Sequence, residues 1–240
     1  MMNKILLIIP AFNEGENILS TCSQIARYNE SGRYHLDFIV INDGSTDDTE
    51  YILEENQIPH ICLIHNLGIG GAVQAGYKYA YENNYEIAIQ FDGDGQHDIH
   101  SVDALITPII LDECDFCIGS RFIEGSKSEF KSSKARRMGI NLISFFIKLV
   151  TGQRIYDTTS GYRSGNRKII RDFAMTYPIE YPEPITNTEL LKKRYRVKEV
   201  PVIMYDRVGG LSSIHSWKNA YYMINILLSI LVISIRRWKK

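Results

Sequence analysis

Apolar runs of strand length recur through the first half of the chain, at Ile5 to Ile9, Phe38 to Ile41, Ile61 to Ile64, Ile87 to Phe91 and Phe116 to Ile118. The runs are continuous rather than alternating, which predicts strands buried on both faces. Helical spacing between them predicts a parallel sheet covered by helices on both sides. Those helices fall near Asn17 to Tyr28, Asp47 to Glu55, Gly71 to Glu82 and Val102 to Leu111. Ser45, with Asp48 three residues on, reads as a capping box for the second. After Arg121 the rhythm breaks into a basic, Ser-rich loop holding Lys127, Lys131, Lys134, Arg136 and Arg137, which leads into an apolar helix over Met138 to Val150. A polar turn from Asp157 to Arg163, a helix near Lys168 to Ala174, a Pro-interrupted loop at Tyr181-Pro182-Glu183-Pro184 and a strand near Val200 to Met204 follow. No repeat or low-complexity linker intervenes. The fold class expected is α/β: one domain with a mostly parallel central sheet flanked by helices, and a helix appended at its C-terminal side.

That last helix has its own chemistry. Asn219 to Ile235 carries no charge over 17 residues, roughly 25 Å of helix against a hydrocarbon core of about 30 Å, which is short for a span. Lys218, Asn225, Ser229 and Arg236 fall on one stripe, Trp217, Tyr221 and Tyr222 precede the apolar stretch, and Arg236-Arg237-Trp238-Lys239-Lys240 follows it. The pattern predicts an amphipathic helix lying in the interface of an anionic membrane. A core-packing or dimerising helix, the latter making a homo-oligomer, is the alternative.

Composition, 45% hydrophobic and 23% charged, excludes a disordered, collagenous or polytopic membrane chain. The formal net charge of −1 conceals an asymmetry: residues 1 to 120 hold 19 acids and 4 bases, and residues 121 to 240 hold 9 acids and 23 bases. The basic half is read as a phosphate or membrane surface, with no nucleic-acid role. Cys22, Cys62, Cys114 and Cys117 are expected to be ordinary buried thiols, with Cys114 and Cys117 pointing to opposite faces of a strand. The N-terminal run lacks a small-residue cleavage site, and a cytoplasmic setting follows as the expectation.

The acidic tips Asn42-Asp43-Gly44-Ser45 and Asp92-Gly93-Asp94-Gly95 both follow strands, so they fall beyond the strand carboxyl ends, where open α/β sheets bind ligands. Asp92 and Asp94, one residue apart in a turn, can converge on one hard divalent cation, Mg2+ or Mn2+, that also takes phosphate oxygens. A calcium loop fails because His97 stands where glycine is required and Asp103 where the bidentate glutamate belongs. A dinucleotide fingerprint at Gly68-Ile69-Gly70 fails with Val73 in the last glycine position. His97 and His100 have no partner at ligand spacing and read as ordinary polar residues.

Six motifs occur in order: Pro10-Ala11-Phe12-Asn13-Glu14, Asn42-Asp43-Gly44-Ser45-Thr46-Asp47, Asp92-Gly93-Asp94-Gly95-Gln96-His97, Gly119-Ser120-Arg121-Phe122, Asp157-Thr158-Thr159-Ser160-Gly161-Tyr162-Arg163, and Arg207-Val208-Gly209-Gly210-Leu211-Ser212. Together they resemble family 2 of the glycosyltransferases, over residues 4 to about 213, in its dolichyl-phosphate mannose synthase-like branch. The resemblance implies the nucleotide-sugar transferase fold called GT-A, a catalytic domain over 1–213 and a membrane-associated helix and basic tail over 214–240. It implies a nucleotide pocket of Pro10, Ala11, Asn13, Glu14, Asp43, Asp92 and Gly93, with Asp43 accepting from the base. Asp92, Asp94 and Gln96 would hold the metal, Asp94 and Arg207 would serve catalysis at the diphosphate, and the anomeric centre would be inverted by direct displacement. Arg121, Arg136 and Arg137 would hold the phosphate of a polyprenyl phosphate acceptor at the inner face of the cell membrane. The chain departs from the family pattern at Ile140, where a serine is expected, and at Ser213, where a lysine is. If the acceptor were instead a hydroxyl of a lipid-linked or cell-surface glycan, a general base would be needed, and Glu183 is the candidate. A catalytically silent nucleotide-sugar-binding protein is the reading from another class.

Overall fold

No residue of the first apolar run favours water on either side, and β1 (Ile5–Ala11) is buried along its whole length. Its side chains alternate between two cores: Ile5, Leu7 and Ile9 enter one, Leu6 and Ile8 the other. The computed structural model describes residues 4–128, 134–205 and 216–236. Around β1 the chain builds β2 (Leu36–Asn42), β3 (His60–Cys62), β4 (Ile87–Gln90), β5 (Phe116–Ser120), β7 (Arg163–Asn166) and β8 (Val197–Pro201) into a seven-stranded sheet of order β3-β2-β1-β4-β7-β5-β8. A small second sheet pairs β6 (Lys127–Ser128) with β9 (Ile203–Met204).

The first core is closed by α1 (Ile18–Ser31), α2 (Thr49–Glu55) and α4 (Val102–Ile110), through residues such as Ile25, Leu53 and Leu105. The second is closed by α3 (Gly68–Glu82), α5 (Lys134–Thr151), α6 (Arg167–Met175), α7 (Pro182–Lys192) and α8 (Ser216–Ile235). Gly76 lets α3 lie on β1, since a Cβ there would come within 2.2 Å of Ile8 Cγ2.

The sheet is parallel as the apolar rhythm predicted, except at β7, which pairs antiparallel with both β4 and β5. Nothing in Arg163-Ser164-Gly165-Asn166 looks like a central strand, because its burial depends on polar partners supplied by other segments. The inversion matters for position: Gln90, the last residue of β4, pairs with Arg163, the first of β7. The segment entering β7 therefore crosses the same rim as the loops leaving β1, β2, β4 and β5.

Other expectations change in detail. The apolar Ile61 to Ile64 run gives only the edge strand β3, with Ile64 fully out in solvent. The strand expected over Val200 to Met204 divides into the end of β8 and β9. The Ser45 capping box does not form: Ser45 Oγ accepts from the Asn13 N–H at 2.9 Å, and Asp47 Oδ1 accepts from the Thr49 N–H at 3.0 Å. Cys114 precedes β5 and so escapes strand alternation; its thiol is hydrogen-bonded to Cys117 within one core. Cys62 is exposed on β3.

The C-terminal helix does two things. Ile226, Ile230 and Ile233 are buried as α8 packs on α5 and α7, while Tyr221, Ile224, Leu228, Leu231 and Ile235 remain exposed on its other side. Among the described residues no helix is long and apolar enough to cross a membrane.

Candidate active site

The carboxyl ends of β1, β2 and β4 open on a cleft of about 570 Å³, lined among others by Pro10, Ala11, Glu14, Asp43, Asp92, Gly93, Asp94 and Glu183. Topology alone brings these loops together, because parallel neighbours end on one edge. Asn13 stands outside the lining. With φ at 56°, it turns its side chain across to the neighbouring loop, where its Oδ1 accepts from the Thr46 N–H at 2.8 Å. It fastens the β1 loop to the β2 loop. Glu14 is anchored by its N–H donating to Thr49 Oγ1 at 3.0 Å.

Asp43 is buried, and one carboxylate oxygen accepts from the Leu67 N–H at 2.8 Å at the start of α3. Burial pushes its pKa up, while the N–H groups of Leu67 and Gly68 pull it back. Asp92 and Asp94 sit in the turn after β4. Asp94 Oδ1 accepts from the Gln96 N–H at 3.1 Å, and the Gln96 side chain is turned away, toward the Tyr205 carbonyl at 3.5 Å. The Gln96 amide NH2 end is taken by that carbonyl, and its backbone N–H shapes the turn. Two hard carboxylates on the cleft wall suit a cation that arrives with diphosphate oxygens. No cluster of three or more His, Cys, Asp or Glu side chains able to hold a metal is preformed among the described residues.

Sequence reasoning undervalued His97. It is 3% exposed, stacks on Tyr162 with ring centroids 4.4 Å apart, and accepts the Asp92 N–H on Nδ1 at 3.1 Å. Burial holds its pKa down to about 4, helped by the charge of Arg121 and opposed by Asp94. The ring is neutral, with its proton on Nε2, 3.5 Å from Asp92 Oδ2.

Glu183 lies in the first turn of α7, after Tyr181 at a positive φ of 50°, and not in a loop as the flanking prolines suggested. Pro182 occupies the first helical position, where its missing N–H costs nothing. The Glu183 carboxylate is 4.0 Å from Arg163. Burial raises its pKa, Arg163 and Arg121 oppose the rise, and Asp92 adds to it. Arg163 is wholly buried, donating to Thr186 Oγ1 at 2.8 Å, Gln90 Oε1 at 2.9 Å and the Tyr177 hydroxyl at 2.5 Å. A glutamine inside the apolar Ile87 to Phe91 run was the available signal for this network.

Arginines gather near the cleft carboxylates, where Arg121 feels the charges of Asp92 and Glu183. Arg121 follows β5 and is clamped by buried Asp157, with Nε to Oδ2 and Nη2 to Oδ1 both at 2.7 Å. The Arg137 guanidinium lies 3.5 Å from the Phe122 ring centroid, and that of Arg121 5.2 Å. Arg137 Nη1 is buried with no hydrogen-bond partner among the described residues. Arg136 is close enough to Arg121 that burial and that neighbouring charge lower its pKa. Tyr222 of α8 meets Tyr181 edge-on at 4.7 Å, which ties the last helix to the Glu183 turn. Arg207 and the rest of its motif, together with Lys131 and the tail beyond Arg236, lie outside the described residues.

The sequence profile described as Glycosyl transferase family 2 matches residues 6–173. The chain belongs to that family. Among curated relatives, this family 2 chain is 30% identical to a UDP-N-acetylglucosamine–dolichyl-phosphate N-acetylglucosaminyltransferase of Methanococcus voltae, over 82% of this chain and 84% of that protein. It is 24% identical to an undecaprenyl-phosphate mannosyltransferase of Micrococcus luteus, over 98% and 93%. Among solved structures, glucosyl-3-phosphoglycerate synthase of Mycobacterium tuberculosis, crystallised with Mn2+ and UDP-glucose, superposes with a TM-score of 0.66 at 17% identity, covering 99% of this chain and 81% of that one. That likeness shows the fold, and the family membership makes this chain a nucleotide-sugar glycosyltransferase.

Proposed function

We propose that this family 2 glycosyltransferase moves a sugar, with inversion, from a nucleoside-diphosphate donor to a polyprenyl phosphate at the inner face of the cell membrane. The observation that carries the acceptor assignment is the cationic cluster beside the carboxylate rim: Arg121 and Arg137 lie against Phe122, and Arg136 is near enough to Arg121 to feel its charge. Relatives named for dolichyl and undecaprenyl phosphate support it. A lipid phosphate is already an anion near neutral pH, so it needs orientation and charge screening more than a base. Arg136 and Arg137 would take that phosphate, and Arg121, held from behind by Asp157, would add its charge.

On the donor side, Asp43 would accept from the base, and Pro10, Ala11, Glu14 and Gly93 would wall the nucleotide. Asp92 and Asp94 would hold Mg2+ or Mn2+, with Arg207 closing on the diphosphate. The cation, when bound, neutralises charge that builds on the departing nucleoside diphosphate. The exposed rows of α8, and of α5 at Met138, Leu142, Phe145 and Leu149, would rest on the bilayer, making 214–240 a membrane-associated segment of a peripheral enzyme.

One observation favours a hydroxyl acceptor as the second reading: Glu183 is a cleft carboxylate whose pKa burial raises, as suits a general base. Product analysis decides between them, with UDP- and GDP-sugars offered alongside undecaprenyl phosphate, dolichyl phosphate and a lipid-linked glycan. Under the phosphate reading, Arg136→Ala/Arg137→Ala lowers transfer at least tenfold and Glu183→Gln spares it. The opposite pattern assigns a hydroxyl acceptor. Loss of neither activity on Asp94→Ala rejects the centre itself.

A further inference from the structure

The segment Gly161-Tyr162-Arg163 has no part in the transfer scheme above, yet each of its residues meets the surroundings of Asp92 by a different route. We infer that these three are positioning residues that aim the Asp92 carboxylate at the cation and diphosphate. The inference rests on Asp92 being the metal-side carboxylate and says how it is held there.

Arg163 acts through Gln90. The two are paired across β4 and β7, and Arg163 Nη2 donates to Gln90 Oε1 at 2.9 Å. A guanidinium has no acceptor, so this contact fixes which end of the Gln90 amide faces inward. The NH2 end must then face the cleft, and it donates to Asp92 Oδ1 at 3.4 Å. Thr186 and Tyr177 hold the guanidinium against rotation from two further sides.

Tyr162 acts through His97. The rings are stacked, 7° from parallel, and the Tyr162 hydroxyl donates to the Asp98 carbonyl at 3.1 Å, so the imidazole cannot tilt without moving a buried phenol. The imidazole accepts from the Asp92 N–H and brings Nε2 to 3.5 Å from Asp92 Oδ2.

Gly161 acts by what it lacks. A Cβ at this position would stand 2.8 Å from Asp92 Oδ2 and 3.1 Å from Gln90 Nε2. The glycine backbone is not in the left-handed region, so alanine is conformationally acceptable there and the clash falls on the tip of the carboxylate. One carboxylate oxygen is thus addressed by Gln90 and the other by His97 and Gly161. Groups that orient a metal-binding carboxylate in this way set affinity as strongly as many direct contacts, and their loss costs roughly 10–100-fold in metal binding.

The test uses the full chain and isothermal titration of Mn2+ with UDP and, separately, GDP present, alongside thermal unfolding. Gly161→Ala and Gln90→Met are expected to weaken Mn2+-dependent nucleotide binding about tenfold. Metal-free nucleotide affinity should stay unchanged, and the melting temperature should fall by only a few degrees. Arg163→Lys, which keeps the buried charge but loses the fork, should do the same. A merely structural role would move the melting temperature and leave the Mn2+ midpoint where it was. If Asp92→Ala abolishes the Mn2+ effect while both Gly161→Ala and Gln90→Met leave it intact, the positioning role is wrong and the metal-side reading survives. If Asp92→Ala has no effect on Mn2+ binding, both fall.

Discussion

The carboxylate rim and the α5–α8 face of this enzyme are built on opposite plans. At the rim, side chains from four strand ends are tied to one another: Asn13 to Thr46, Asp43 to Leu67, Asp92 to Gln90 and His97, Arg121 to Asp157. On the other face, Phe145, Leu149, Leu228 and Leu231 lie in solvent, each about half exposed or more. A nucleoside diphosphate is small, charged and directional, and its recognition depends on donors and acceptors that are already in place when it arrives. The lipid surface proposed for the other face would offer area without direction, so that apolar side chains on two helices would suffice and nothing need hold them in one rotamer.

Breaking the rim should therefore have the largest effect on the protein itself. Asp157 is fully buried and is the bidentate partner of a nearly buried arginine. Replacing it with alanine leaves that charge without its main partner and should cost about 3–5 kcal/mol, read from urea unfolding. A loss below about 1 kcal/mol would mean that the rim is less tightly built than the bond pattern implies.

The next effect is a pH dependence. His97 is neutral in the folded chain down to about pH 4, whereas in the unfolded chain it takes a proton near its ordinary value of 6.5. Between those two values the unfolded state binds more protons, so stability falls as the pH falls. The contribution is complete above pH 6.5, and about 3 kcal/mol is lost on reaching pH 4. Denaturant unfolding of the metal-free protein across this window should show that slope, and His97→Phe should flatten it while keeping a ring on Tyr162.

The smallest expected effect sharpens the other side of the comparison. Leu228→Ser/Leu231→Ser and Phe145→Ser/Leu149→Ser should each lower partition to phosphatidylglycerol vesicles on the order of tenfold, from lost apolar area. Melting temperature and nucleotide binding should be unchanged, because these side chains already face solvent. Unaltered vesicle binding in both pairs would remove the bilayer as the occupant of this face.

Much of the candidate site could be singled out before the fold was known, and the omissions share one cause. Asp43, Asp92 and Asp94 stand out because both acidic turns follow strands of one parallel sheet and so share the rim at the strand carboxyl ends. Glu183 stands out between prolines. By contrast, His97 and Gln90 are fixed by Tyr162 and Arg163, which are remote from them in sequence, and the buried start of β7 depends on Arg163 bonding Gln90, Thr186 and Tyr177. Local propensity carries no trace of such a contact. The same limit explains the Ser45 cap, whose hydroxyl is taken by Asn13 from the neighbouring loop.

The amino-acid sequence by itself determined the alternation of buried strands and covering helices, the acidic loops at the strand ends and the basic second half, because each depends on residue type and short spacing. Only the tertiary structure decided that β7 runs backwards through the sheet, that Arg121 and Arg137 meet at Phe122 with Arg136 near Arg121, and that Asp92 is held by Gly161, Tyr162 and Arg163. Those features depend on contacts between residues as far as 79 positions apart, and a pairing of that range is specified by the packed chain as a whole.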